Sequence, residues 1–352
     1  MRQLTIAAAF VLATGALAAG PLFAQAPAPP GGPAPTGLVV GSGNFFSPIV
    51  SDLDKAIAFY RDGLGLDVQG APANADANPA LRNMFGLPDA ALRWSIGRPA
   101  GMRTGVEIVE IKKAEGKPLE RRLQDSGSFT LIVLVRDIDA MFGRLKQLGA
   151  PVVTKGGAPI LVPGGARKSR AVIVKDPDGH FVELFQPDPL PEAAATPAPN
   201  VIEVRVRLAV SDVEKETRLY RDALGLAVRT PGEFGKEPAV LDMMGLPAGA
   251  EYRASMFTVP TTGLIFELID FKGVDRRAVR GNIQDPGSTR IQLQVKDVDA
   301  TIAALKQAGG TVVSTGGGIV ELPGRGGATT KVAIVRDPNN LFLVLLQAPR
   351  AQ

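Results

Sequence analysis

The sequence predicts an α+β protein built from four copies of one strand–helix–strand unit, and three observations carry that expectation. Residues 49–68 (IVSDLDKAIAFYRDGLGLDV) match residues 209–228 (AVSDVEKETRLYRDALGLAV), so that Asp52 and Asp212, and Tyr60 and Tyr220, each lie 160 residues apart. The same offset carries Glu107 onto Glu267, QDSGS at Gln124 onto QDPGS at Gln284, and Asp137 onto Asp297. Within each half the pattern of a strand ending in V-x-D, followed by an amphipathic helix, returns after 85 residues, from Asp52 to Asp137 and from Asp212 to Asp297. The composition agrees: 352 residues with 45% hydrophobic and 21% charged side chains suit two or three compact domains with real cores.

The elements follow in order. After Arg2 an uncharged stretch runs from Leu4 to Ala24 and ends in small residues, which reads as a secretory signal peptide over 1–24, cut after Ala24; an uncleaved membrane anchor is the alternative. Export, to a periplasm or the medium, is therefore expected, with no stable membrane insertion once the signal is removed. Residues 25–43 form a Pro/Ala/Gly-rich tether, 44–187 a first module, 188–202 a Pro/Ala linker and 203–348 a second module. In the first module Phe45 to Val50 alternates as a strand, and Asp52 caps a helix from about Leu53 to Leu64 that Gly63 and Gly65 end. Strands follow at Leu92 to Gly97 and Gly105 to Ile111. The second unit has a strand at Phe129 to Val135, a helix at Ile138 to Leu148, and strands at Ala171 to Val174 and Phe181 to Gln186. DPDG at Asp176 and DPNN at Asp337 read as hairpin turns. NPALRNMFGLP at Asn78 and EPAVLDMMGLP at Glu237 read as short helices, and the Gly-rich segments at Pro163 and Pro323 as hairpin loops without the spacing of a phosphate loop.

Scarcities narrow the chemistry. With no cysteine, disulfides, thiolate nucleophiles, thiolate zinc sites and iron–sulfur clusters are excluded. The single histidine, His180, excludes a metal centre built from two histidines of one chain. Basic residues are scattered, net charge is +4 and aromatics make up 5%, which argues against nucleic acid as a partner.

V-S-D-L-D-K-A-I-A-F-Y-R-D-G-L-G-L, followed about 125 residues on by V-K-D-P-D-G-H-F-V-E-L-F, resembles the vicinal oxygen chelate superfamily, the glyoxalase/bleomycin resistance/extradiol dioxygenase group, over about residues 44–187 and 203–347. The resemblance implies paired βαβββ units, each module curling a mixed sheet around a cavity, and up to four inward strand positions that hold a divalent metal. Carried over, the first positions are Phe45 and Thr130 in one module and Arg205 and Arg290 in the other. The middle-strand glutamate is Glu107 and Glu267; the last-strand glutamate is Glu183, replaced by Val344 in the second copy.

On these grounds Glu107 and Glu183, lined by Phe45, Ser47, Thr130, Ile132 and Phe181, are expected to share the first cavity, as catalytic groups, as ligands of one divalent metal, or paired with a nearby Arg or Lys. Alternation puts Arg205 and Arg207 on one face and Arg290 and Gln292 on another, opposite apolar rows. With Glu267 they would make a cationic second cavity that repels a metal and either clamps an anion or forms a structural ion cluster. His180 and Glu110 fall on the faces away from Glu183 and Glu107. The expected function is binding of a small organic molecule within an intramolecular pair of modules. It would be coupled to a lyase or isomerase step beside a carbonyl, or be metal-free sequestration without catalysis; the histidine count argues against a two-histidine iron dioxygenase.

Overall fold

The computed structural model describes residues 32–75, 78–164, 167–192, 198–323 and 329–348. The expected signal segment, and the middle of both Gly-rich hairpin loops, lie outside the described residues. Four units follow one another. The first contains β1 (Val39–Ser42), β2 (Ser47–Val50), α1 (Leu53–Ala58), β3 (Asp67–Val68), β4 (Ala73–Asn74), α2 (Pro79–Met84), β5 (Ala91–Arg98) and β6 (Val106–Lys112). The second contains β7 (Phe129–Val135), α3 (Ile138–Gln147), β8 (Ile160–Gly164), β9 (Arg167–Lys175) and β10 (Phe181–Gln186). The third contains β11 (Val201–Ala209), α4 (Val213–Arg218), α5 (Pro238–Met243), β12 (Glu251–Thr258) and β13 (Ile265–Lys272). The fourth contains β14 (Thr289–Val295), α6 (Val298–Gln307), β15 (Thr311–Val312), β16 (Val320–Pro323), β17 (Thr329–Arg336) and β18 (Phe342–Gln347).

The recurring V-x-D has a physical reason. Asp52, Asp137, Asp212 and Asp297 sit in extended backbone, and each side chain accepts a backbone N–H of the first helical turn that follows. Where one helix is expected over about 53–64, α1 passes into a π-helical turn at Phe59–Gly63, and α4 does the same at Leu219–Ala223. Tyr60 and Tyr220 are buried in these turns.

The sheets do not follow the halves of the chain. Among the described residues, β12-β13-β11-β7-β10-β9-β8 form one sheet, and β15-β17-β18-β14-β2-β6-β5-β3 form the path of the other, with β1 added to β14. The second unit thus pairs with the third, through antiparallel β7 and β11 (Thr130 opposite Arg207, Ile132 opposite Arg205). The first pairs with the fourth, through antiparallel β2 and β14 (Ser47 opposite Arg290). This corrects the expectation that each half curls its own sheet: strand alternation is satisfied by either partner, and hydrogen-bond pairing selects the partner from the other half. The residues just before Asn44 also join a sheet, as β1.

One large core fills the space between the sheets and the helices, taking Val204, Val206, Leu208 and Val210 from β11 and its end, and Ile291, Leu293 and Val295 from β14. The repeated QD-x-GS segments lock the halves together. Asp125, fully buried, accepts the backbone N–H groups of Arg122 and Arg277, and Asp285 accepts those of Lys117 and Asn282. These bonds satisfy loop backbone that would otherwise be orphaned at the seam.

Candidate functional site

In the sheet that joins the first and fourth units, period-two alternation turns Glu107 and Val109 of β6, Trp94 and Leu92 of β5, Arg290 and Gln292 of β14, and Val344 and Leu346 of β18 toward one cavity of about 140 Å³. Leu322 of β16 closes one side, and α2 lies over it with Leu81, Met84 and the following Phe85. Asn78 caps α2 and Pro79 starts it. The helix is latched to the fourth unit by Ser314 Oγ, which donates to the Met84 carbonyl at 2.8 Å. Gly86, at φ 70°, follows because a Cβ there would lie 2.2 Å from the Val313 carbonyl oxygen. The same fit recurs at Gly245 against Val153, which explains the shared G-L-P.

The polar floor is compact. Glu107 Oε2 accepts from Arg290 Nη2 at 2.9 Å, from Gln292 Nε2 at 2.9 Å and from Ser47 Oγ at 3.3 Å. Gln292 Oε1 in turn accepts the Asn44 N–H at 3.0 Å. The Arg290 side chain is 1% exposed, and its guanidinium stands 4.5 Å over the Phe85 ring. Burial pulls the Arg290 pKa down, and the Glu107 carboxylate only partly restores it.

The equivalent position in the other sheet is closed. Arg207 of β11 bridges two carboxylates: Nη1 donates to Glu183 Oε2 of β10 at 2.6 Å and Nε to Glu267 Oε2 of β13 at 2.8 Å, with all three side chains at most 2% exposed. Glu183 Oε1 and Arg207 Nη2 are buried without a partner. Burial raises the Glu183 carboxyl, Arg207 pulls it back, and the facing Glu267 raises it again. Counterparts across the 160-residue offset explain the closure: Arg207 stands where the open site has Ser47, Tyr252 where it has Leu92, Ile132 where it has Gln292. Tyr252 also donates its hydroxyl to Glu237.

The structure therefore divides the residues singled out from the sequence differently. Glu107 and Glu183 do not share a cavity; they lie on different sheets because β6 and β10 belong to units that pair with other partners. Arg290 and Gln292 join Glu107, whereas Arg205, Arg207 and Glu267 join Glu183 and Thr130. Arg205 and Arg290 are likewise separated, and Arg205 is bound to Glu203 at 2.7 Å, so the two arginines make no joint clamp. Phe181 lies on the closed side beneath the Lys175 ammonium, 4.9 Å from its ring centre. Phe45 packs in the main core and does not line the open cavity.

Glu110 faces away from the cavity, as alternation requires; it accepts the Leu53 N–H at the start of α1 and pairs with Arg93. His180 is buried on the core side, where Nδ1 lies 2.9 Å from Asp176 Oδ2 and Nε2 lies 3.1 Å from the Ser288 carbonyl oxygen. Burial alone would lower this imidazole, but Asp176 and Ser288 outweigh it and raise the pKa. Tyr60 donates to the same Asp176 oxygen at 2.9 Å. In the other half Leu341 replaces His180 and Glu216 replaces Ala56. There the buried Asp337, with Tyr220 3.4 Å away, faces a second carboxylate in place of an imidazole. Burial and Glu216 hold Asp337 up at about 8, and burial holds Glu216 up at about 7.

The donor set does not suit a divalent metal in either place. A two-carboxylate site needs Glu107 beside Glu183, and each glutamate instead contacts a guanidinium, whose positive charge would repel the ion. Among the described residues no three His, Asp or Glu side chains come together in a metal-holding group. The walls of the open cavity were the least legible part. Leu81, Met84, Phe85 and Trp94 carry no chemical signature, and only the parity of Val109 with Glu107, and of Leu346 with Val344, pointed inward.

Comparison with known proteins adds a family. A family model described as Glyoxalase/Bleomycin resistance protein/Dioxygenase superfamily matches residues 44–184 and 204–345. A lactoylglutathione lyase of Arabidopsis thaliana, GLX1, is 32% identical over 103 residues; the match spans 29% of this chain and 33% of that protein's length. Glyoxalase I from Zea mays superposes with a TM-score of 0.54 at 20% identity, covering 86% of this chain and 92% of that one. A putative dioxygenase from Bacillus subtilis superposes with a TM-score of 0.51 at 14% identity, covering 90% of this chain and 87% of its own. At these identities the solved structures speak for the fold alone.

Proposed function

The chain belongs to the Glyoxalase/Bleomycin resistance protein/Dioxygenase superfamily, and we propose that it binds a small organic molecule, without a metal, in the cavity above Glu107 and Arg290. One observation carries this reading: a largely apolar cavity of about 140 Å³ has a floor of three convergent polar side chains, with the guanidinium of Arg290 already in contact with the only carboxylate among its lining residues. The size is close to that of an engineered apolar cavity of roughly 150 Å³ that takes up benzene.

Trp94 lines the cavity and is the only tryptophan of the chain, so its emission reports on occupancy. Titration with small aromatic compounds should give saturable changes that are the same with a chelator present and with added manganese, nickel or zinc. A response that appears only with metal overturns the proposal.

A second reading, proton abstraction beside a carbonyl by Glu107, is favoured by one feature: among the described residues its three hydrogen bonds fall on Oε2, which leaves Oε1 unbonded there. Turnover lost in Glu107→Gln with binding retained would support it. The proposal extends to location. The apolar stretch at residues 4–24 suits an export signal, and mass analysis of the protein recovered from the cell envelope and medium should find a chain that begins at Gln25.

A further inference from the structure

We propose that the ligand of the Glu107–Arg290 cavity is a small neutral molecule whose apolar ring or branched body carries a hydrogen-bond donor beside an acceptor, the primary carboxamide being the simplest such group. This rests on the reading of that cavity as a ligand site.

Charge selects neutrality. Glu107 and Arg290 are the ionisable residues that line the cavity, and they contact each other at 2.9 Å, so their formal charges cancel. An ionic ligand would leave water for an apolar chamber with no unpaired counter-charge to meet it, and so would carry the full penalty of burying an ion. A neutral ligand avoids that penalty.

Hydrogen-bonding capacity selects the head group. Among the described residues Glu107 receives its donors on Oε2, so Oε1 remains as an acceptor. On Arg290 only Nη2 is bonded among the described residues, although the side chain is almost wholly buried and its Nε has no partner. Gln292 is oriented by Glu107 and by the Asn44 N–H, which fixes its amide and leaves it one N–H and one lone pair. The floor thus joins, on one ion pair, the Oε1 acceptor of Glu107 to a guanidinium whose Nη1 is unbonded among the described residues, while the unpaired Nε is sealed from the cavity. A carboxamide answers both, giving an N–H to Glu107 and taking an N–H from the guanidinium. A carboxylate offers acceptors alone, and an ammonium donors alone. The walls, with Trp94 and Phe85, suit the face of one aromatic ring.

The experiment is a titration of the full chain with benzamide, benzoate, benzylamine and toluene, read from Trp94 emission and checked by ligand-observed nuclear magnetic resonance. Benzamide should bind at least about 10-fold more tightly than the other three, the discrimination of about one good hydrogen-bond pair. Benzoate or benzylamine binding as tightly as benzamide overturns the neutral ligand. Equal binding of toluene overturns the donor–acceptor head group while leaving the cavity a binding site. If none of the four binds, the reading of the cavity itself fails. Glu107→Gln should reverse the order, because Arg290 then lacks a counter-charge and benzoate gains over benzamide; an unchanged order also overturns the proposal. Should that variant fail to fold, the four titrations of the unaltered chain decide alone.

Discussion

Glu107 and Glu267 stand at the same strand position in two copies of one unit, yet the first forms the floor of a cavity and the second belongs to a sealed cluster. Each is met by an arginine, and the arginines come from different places. Arg290 projects from β14, the strand lent by the fourth unit, while Arg207 projects from β11, the strand beside Glu267 in the same unit. In the open site the position equivalent to Arg207 is Ser47 and the position equivalent to Glu183 is Val344. Two short side chains leave room. In the closed site the long guanidinium lies between two carboxylates and fills that room. A buried glutamate can thus be neutralised with or without loss of the cavity, and the outcome depends on which neighbouring positions are shortened.

The sharpest way to break the comparison is to remove Arg207. Arg207→Met leaves Glu183 and Glu267 buried without a counter-charge and should cost about 3–5 kcal/mol in urea unfolding, as for other buried ion pairs that lose one member. Adding Glu183→Leu and Glu267→Leu should restore stability to the unaltered level or beyond, since a well-packed apolar replacement of a complete cluster is neutral to stabilising by about 1–4 kcal/mol. A loss under about 1 kcal/mol in the single variant would mean that the cluster is not what holds this site.

A smaller effect tests the seams. Asp337 and Glu216 titrate near 4 when unfolded but are held up at about 8 and about 7 in the fold. Folding therefore favours their protonated forms: this part of the stability is intact below about pH 4, declines as pH rises toward 8, and then levels off. Glu216→Gln should flatten the decline and gain on the order of 1–3 kcal/mol at pH 8, measured as urea midpoints at pH 5 and pH 8. Equal midpoints for the variant and the unaltered chain at pH 8 would sink the assignment. The other half should behave differently, because Asp176 meets His180 there, and His180→Leu should destabilise at pH 6 more than at pH 9.

Converting one site into the other sharpens the contrast in function. Ser47→Arg with Val344→Glu rebuilds the closed arrangement around Glu107 and should weaken aromatic ligands at least about 10-fold by Trp94 emission; undiminished binding would place the ligand elsewhere. The smallest effect is expected for Ser47→Ala. Its bond to Glu107 is long at 3.3 Å, so the loss should stay under about 1 kcal/mol.

Much of the fold was legible because its determinants are local. A capping aspartate after each V-x, period-two strands and the recurring G-L-P all act within a few residues, and they place the capped helices and most of the long strands. The choice of sheet partner was not legible. β2 presents the same alternation to β7 as to β14, so nothing within the strand distinguishes a partner from its own half from one in the other half, and the expected grouping of Glu107 with Glu183 rests on that ambiguity. That Glu107 pairs with a basic side chain was legible from charge alone, since a lone glutamate on an apolar inner face demands a buried partner; which strand supplies it was not.

The crossed pairing also orders events in time. One sheet is drawn from a continuous stretch, β7 to β13, and can close as soon as that stretch exists. The other must wait for its two ends. The chain emerges N-terminus first, so β2 and β6 precede β14, and through that interval the edge of β2 is unpaired and Glu107 lacks the Arg290 guanidinium. The cavity is thus the last part of the molecule to come into being, and a chain that stops short of β14 holds the closed site entire and only half of the open one.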